Sequence, residues 1–252
     1  MTTADSPQRA DGWAAAVRER LGLGRLLPLG APADGTWIAE GAAASVLRDA
    51  AHTPGTVLGT LRIGAAEPEE GHGAARTPTG PVPPAPPSAV PAGPLRIEAG
   101  FSASAERPLP AAAALLRRSL LDAAARRLGL EVSEVDLRVT DLLDSPPSSR
   151  ASAPAPAVRA ARATGPVGAA AEAVPGVAHL TGVLGRPVHE AADHVRVEVA
   201  TEGGHRALDV ARAVRSAVSG TVDDRTPVSV LVTAVVEAGG GEPAREAPAP
   251  RP

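Results

Sequence analysis

Cysteine is absent from the 252 residues, so disulfides, thiolate nucleophiles and cysteine-held metals are excluded. Aromatic rings are almost as scarce: Trp13, Trp37 and Phe101 are the whole supply. A core must therefore be assembled from alanine, valine and leucine. A surface that stacks nucleic-acid bases on rings has almost nothing to build with. Lysine, asparagine and tyrosine do not occur. The net charge of −3 and the pI near 6.1 lack the positive footprint of a protein that neutralises phosphates, so no nucleic-acid partner is expected. No apolar run is long enough to form a transmembrane segment or the core of a signal peptide, and the expected location is the cytoplasm, peripheral to the membrane only through a partner.

What is present is a chain that is 44% hydrophobic, enough for one large domain or two small ones. It is punctuated by 27 prolines and 26 glycines, and these cluster. Residues 65–94, "AAEPEEGHGAARTPTGPVPPAPPSAVPAGP", residues 145–157, "SPPSSRASAPAPA", and the tail 238–252 are too rich in proline and small residues to bury the apolar surface that ordering requires. They are expected to be a disordered insert, a linker and a disordered end. The linker divides the chain into a first unit, 11–144, and a second, 158–237. A short amphipathic helix is expected over residues 13–27, with Trp13, Val17 and Leu21 on one side.

Between the breaks the hydrophobic period alternates between helix and strand. Thr36 is placed to cap a helix over residues 37–51, which Pro54 and Gly55 close. A period of two then runs through Val57, Gly59, Leu61 and Ile63, and again through Leu95, Ile97, Ala99, Phe101 and Ala103. Paired, these make a hairpin whose turn has been replaced by the proline-rich insert, tolerable because loop-closure entropy grows slowly with length. A helix over 110–128 carries Ala113, Leu116, Leu120 and Ala124 inward, with Arg118, Asp122 and Arg126 spaced four apart on the wet side, where they can pair. A strand over 135–143 completes the unit. The second unit reads the same way: a helix over 166–174 stopped by Pro175 and Gly176, strands "VAHLTGVLG" and "HVRVEVAT", a helix over 206–218, and the strand "PVSVLVTAVVE". The expected class is α+β: two tandem helix-strand-strand-helix-strand repeats, each with a small three-stranded sheet, joined by disordered Pro/Ala-rich linkers.

In the second unit "AAEAVPGVAHL" (170–180), "VRVEV" (195–199), "ARAVRSAV" (211–218) and "VSVLV" (228–232) follow one another in order. In this the chain resembles the alkaline-shock, general-stress envelope protein family of Gram-positive bacteria, as a divergent two-copy member of actinobacterial type. Relatives of that type are sometimes labelled nucleopolyhedrovirus fibrous-body-like, although no heptad run here supports a filament. The first unit departs from the pattern, with Thr56 where the family usually has valine and with its hairpin split by the insert. The resemblance implies a non-catalytic protein without a cofactor, acting at the cytoplasmic face of the cell envelope through a membrane-anchored or envelope-associated protein partner. Candidate interaction residues on the outer helix faces are Arg117, Arg118 and Arg126 in the first unit and Arg212 and Arg215 in the second. Open sheet edges are compatible with a homo-oligomer.

Signals for chemistry are weak. In "HEAADH" (189–194) the two histidines stand five apart, one more than the helical zinc-hydrolase spacing requires, and the segment reads as a hairpin loop. No serine lies in a nucleophile elbow, and no glycine-rich loop ends in the lysine of a phosphate-binding loop. The carboxylate pairs Asp141/Asp144, Asp223/Asp224 and Glu69/Glu70 fall at element ends or in loops, where solvation is the default. "GVLG" (182–185) has the letters of the backbone clamp of a KH-like RNA-binding module, the alternative function, but lies between two expected strands rather than two helices.

Overall fold

The computed structural model describes residues 22–67, 83–86, 89–144, 158–162 and 165–237. The linker 145–157, the tail and all but the last six residues of the expected N-terminal helix lie outside that set.

The chain is α+β. Among the described residues, helices α1 (Glu40–Ala50), α2 (Leu109–Ala123), α3 (Gly165–Glu172) and α4 (Ala207–Ser219) are interspersed with ten strands. A three-stranded sheet contains β3 (Thr56–Ala65), β4 (Leu95–Ser104) and β5 (Val132–Leu143), with β3 antiparallel and β5 parallel to the central β4. In the second half β7 (Val177–Thr181), β9 (Val195–Glu202) and β10 (Val228–Val236) pair in the same senses, antiparallel then parallel. The two proline-glycine stops play identical parts. Gly55 and Gly176 take φ of +79° and +89°, a region that glycine enters without penalty. The carbonyl of each then accepts a 2.8 Å bond from the far end of the strand that pairs antiparallel with the one it leads into, from the Ser104 N–H of β4 in one case and the Glu202 N–H of β9 in the other.

The second sheet is larger than the expected three strands. Its order runs β1 (Leu26–Pro28), β2 (Thr36–Ala39), β10, β9, β7 and β6 (Ala160–Ala161), and β8 (Val188–Glu190) also pairs with β9. Two of these strands come from the first half of the chain and correct the sequence reading. Thr36 caps no helix. Thr36, Trp37 and Ile38 lie parallel beside Val230, Leu231 and Val232, and the helix begins at Glu40. Leu26 and Leu27, expected at the end of a helix, form β1 against Ile38 and Ala39. Local propensity for a helix yields here to a ladder supplied by a strand almost two hundred residues away.

Both ends of the segment 65–94, expected to be disordered throughout, have a defined structure, and residues 68–82 and 87–88 lie outside the described set. Ala65 ends β3, and at the other end Pro83, Pro86 and Val90 are buried, with the Val90 N–H donating to the Leu26 carbonyl at 2.7 Å. A proline stretch asks for few donors' partners, so it can lie on an apolar surface without a ladder of its own.

The buried side chains form one contiguous core drawn from both halves. Val195, Val197 and Val199 stand beside Val228, Val230 and Val232, and α4 packs on these strands through Val210, Val214 and Val218. Leu208 sits at the join between halves. A Cβ on Gly30 or Gly129 would come within 2.7 or 2.5 Å of it, so the backbone passes it at two points where no side chain fits. Gly129, at φ +89°, also ends the single π-helical turn Ala124–Leu128 that prolongs α2.

Candidate interaction surfaces

One face of the three-stranded sheet is polar. Register places Arg62, Glu98 and Asp136 in one row, and Arg96 and Glu134 side by side in the next, all on the face opposite the buried Ile63, Ile97 and Val135. Arg96 lies 2.6 Å from Asp136 and 3.6 Å from both Glu98 and Glu134. Its pairing with Asp136 raises the guanidinium pKa further above its ordinary value. Further along, a Cβ on Gly100 would strike Thr140 at 2.9 Å and Thr60 at 3.0 Å, so the two threonines close over a bare backbone. The result is a surface of alternating charge, bordered by hydroxyls. The second sheet offers no such face along β10, where Val228 to Val235 are all buried. The continuous run "VSVLV" carried that information, since a strand covered on both sides has no polar alternation.

Four of the five arginines singled out from the sequence are held by the protein itself. Arg117 Nε donates to the Val135 carbonyl, and Arg215 Nε donates to the Val228 carbonyl, both at 3.2 Å. Each therefore ties a helix to the strand that follows it. Arg215 also donates to the Ala33 carbonyl at 2.7 Å, and Arg212 forms a two-pronged bond with Asp34. Arg126 pairs with Asp122 one turn back, as the spacing of four predicts. Arg118 is exposed and has no partner among the described residues. The sequence reading missed Arg96, and it missed Arg127, which reaches Asp49 at 2.6 Å and Glu237 as well. Nothing in the local pattern marks Arg127, because both partners are distant in sequence.

Arg25 and Glu40 close the outer edge of β3. Glu40 Oε1 accepts the Ile63 N–H at 3.1 Å, and Arg25 Nη2 donates to the Ile63 carbonyl at 2.5 Å, so two side chains satisfy the groups that another strand would take. Burial pushes the Glu40 pKa up, but the bonds from Ile63 and Arg25 outweigh it and hold the carboxyl below its ordinary value.

The remaining motifs resolve into structure. His189 lies in β8 and His194 just before β9, with ring centroids 6.0 Å apart, and His194 Nδ1 is 2.9 Å from Asp193. Among the described residues no three metal-ligand side chains converge. "GVLG" forms the turn between β7 and β8, closed by Gly185 N–H donating to the Gly182 carbonyl. Its Leu184 N–H donates at 3.1 Å to Glu198, a fully buried carboxylate that also lies 3.5 Å from Arg196. Asp141 accepts the Leu142 N–H, and Asp223 accepts the Arg225 N–H, so both act as local caps. Glu69 and Glu70 lie outside the described residues, and among those described no helix is long and apolar enough to cross a membrane. No family model, curated protein or solved structure matches the chain.

Proposed function

We propose that the protein is a non-catalytic interaction or scaffold component of an envelope-stress system, held at the cytoplasmic face of the envelope by a protein partner. The observation that carries the reading is the open mixed-charge face of the first sheet. Arg62, Arg96, Glu98, Glu134 and Asp136 form a two-sign array that a protein can match charge for charge, whereas a polyanion would meet as much repulsion as attraction. The same balance speaks against the RNA-binding alternative, and two backbone donors of "GVLG", the Leu184 and Gly185 N–H groups, are already spent on Glu198 and the Gly182 carbonyl. The order of the elements supports a second part of the proposal, that the two halves are copies of one unit. Their strand pairings, the bonds accepted by Gly55 and Gly176, and the Arg117 and Arg215 struts correspond.

A photo-crosslinking residue placed at Arg62 or Glu98, and separately at Ser216 on the far helix as a control, tests this in cells. Membrane and soluble fractions are kept apart. The expected product is an envelope-associated protein captured from the sheet positions and not from Ser216. Capture of soluble metabolic enzymes alone would count against the proposal.

A further inference from the structure

The two halves differ at the outer edge of β5. In the second half the strand following the long helix is β10. Its Val228 carbonyl takes the Arg215 strut, and directly beyond it Val230 and Val232 pair with β2, with the Val230 N–H donating to the Gly35 carbonyl at 3.0 Å. In the first half that strand is β5. Its Val135 carbonyl takes the Arg117 strut at the same 3.2 Å, yet on the side away from β4 no described strand pairs with Leu137 and Val139. A carbonyl reached by a side chain from the open side points away from β4, and backbone direction alternates along a strand. Leu137 and Val139 therefore present N–H and C=O outward, as Val230 and Val232 do towards β2. Apolar side chains there are uncovered: Val139 is 38% exposed and Leu142 is 62% exposed.

The five residues at this edge read Val135-Asp136-Leu137-Arg138-Val139, a sequence symmetric about Leu137 with opposite charges at the two flanking positions. Antiparallel pairing with itself about a two-fold axis at Leu137 sets Val135 against the partner copy's Val139, Leu137 against its own counterpart, and Asp136 against Arg138 in both directions. Because residues 135, 137 and 139 carry the outward backbone groups, those pairs exchange hydrogen bonds. The Asp136 and Arg138 positions fall on the intervening, more closely spaced pairs, where opposite charges interact best. Arg138 has no ion pair among the described residues, so its charge is available. The Arg117 strut uses one lone pair of the Val135 carbonyl and leaves the other for the partner strand.

From this we infer that β5 pairs with β5 of a second copy, joining two three-stranded sheets into one of six. The occupant follows from the charge order, since a strand of uniform charge would oppose either Asp136 or Arg138. The inference does not depend on the envelope reading, as it concerns the purified chain alone.

Sedimentation or light scattering of the full-length protein, over micromolar to millimolar concentration, reads the result. The wild-type chain is expected to dimerise. Arg138→Asp sets aspartate against aspartate and is expected to weaken the dimer about tenfold or more; Asp136→Arg is expected to do the same. The two variants mixed are expected to recover association as a heterodimer, because each acidic edge then meets a basic one. That recovery separates a pairing defect from a folding defect, since a misfolded chain is not rescued by a second misfolded chain. A wild-type monomer throughout, a dimer indifferent to Arg138→Asp, or singly substituted chains that fail to complement would each overturn the inference. A monomer whose β5 amides resist hydrogen exchange would assign the edge to a segment of the same chain instead, and would overturn it too.

Discussion

Arg212 donates from Nε and Nη2 to the two carboxylate oxygens of Asp34, at 3.0 and 2.7 Å, across 178 residues of sequence. The contact fastens α4 to the 3-10 turn Pro32–Asp34 that leads into β2, the strand the first half contributes to the second sheet. Asp34 accepts the Ala31 N–H at 2.8 Å with the same carboxylate. The pair is a joint between halves rather than an ornament on a helix surface.

The joint should behave as a coupled pair. Asp34→Ala and Arg212→Ala are each expected to lower stability by about 1 to 2 kcal/mol, and a double-mutant cycle should return a coupling of about 1 kcal/mol. Arg212 is half exposed, which keeps the figure modest. Urea unfolding of the four proteins measures it; strictly additive losses would show that the two residues act separately.

Acid should weaken the fold through two identified carboxyls. Burial raises the pKa of Asp34, but the bonds from Arg212 and Ala31 overcome it and hold the group below its ordinary value; Glu40 is held low in the same manner. A carboxyl with a lowered folded pKa gives up its proton more readily when folded. Its stabilising contribution is complete above the ordinary carboxylate range and is lost as pH falls through the lowered folded value. The urea midpoint should therefore drop as pH falls through and below the ordinary carboxylate range, and Asp34→Asn with Glu40→Gln should flatten that limb. An acid limb of unchanged steepness in the double variant would contradict the assignment.

Gly129→Ala should cost about 2 to 4 kcal/mol, because it combines a positive φ with a Cβ placed 2.5 Å from Leu208. Gly204 is the matched control, with open space around the position, and Gly204→Ala should stay within about 0.5 kcal/mol of wild type. Thermal melts of both variants decide it, and equal effects would mean that neither the positive φ nor the contact with Leu208 carries a penalty.

Removing the edge guard of β3 should expose a strand to pairing. Glu40→Ala leaves the Ile63 N–H without its acceptor and is expected to cost about 1 to 3 kcal/mol. It should also raise light scattering on mild heating, since an unpaired edge is a template for other chains. Glu40→Gln keeps an acceptor and should scatter less. Identical scattering from the two variants would separate the edge from aggregation.

Much of the fold was legible because side-chain periodicity is a local property. The stripe of Leu116 and Leu120 defines α2, the alternation of Leu95, Ile97, Ala99 and Phe101 defines β4, and the spacing of Asp122 and Arg126 delivers their pair. Glycine at 55 and 176 marks the turns because a positive φ is a backbone demand that one residue type meets best. The candidate surface was less legible. The helix arginines were conspicuous in sequence, yet a guanidinium on a long side chain bonds whatever carbonyl or carboxylate the fold brings near, and Arg117, Arg212 and Arg215 found theirs within the chain.

By itself the sequence determined the long helices and strands, their order and the alternation of faces, since each depends on neighbours a few residues away. Tertiary structure decided the rest: that Thr36 to Ile38 form a strand of the second sheet, that Leu208 rests between Gly30 and Gly129, and that Arg96 joins Glu98, Glu134 and Asp136 on an open face. The first two depend on which backbone edges meet when the halves pack together, and the third on the register between the neighbouring strands β4 and β5. A hydrogen-bond ladder and a shared core, formed between residues far apart in the chain, outweigh the small local preferences that sequence periodicity reports.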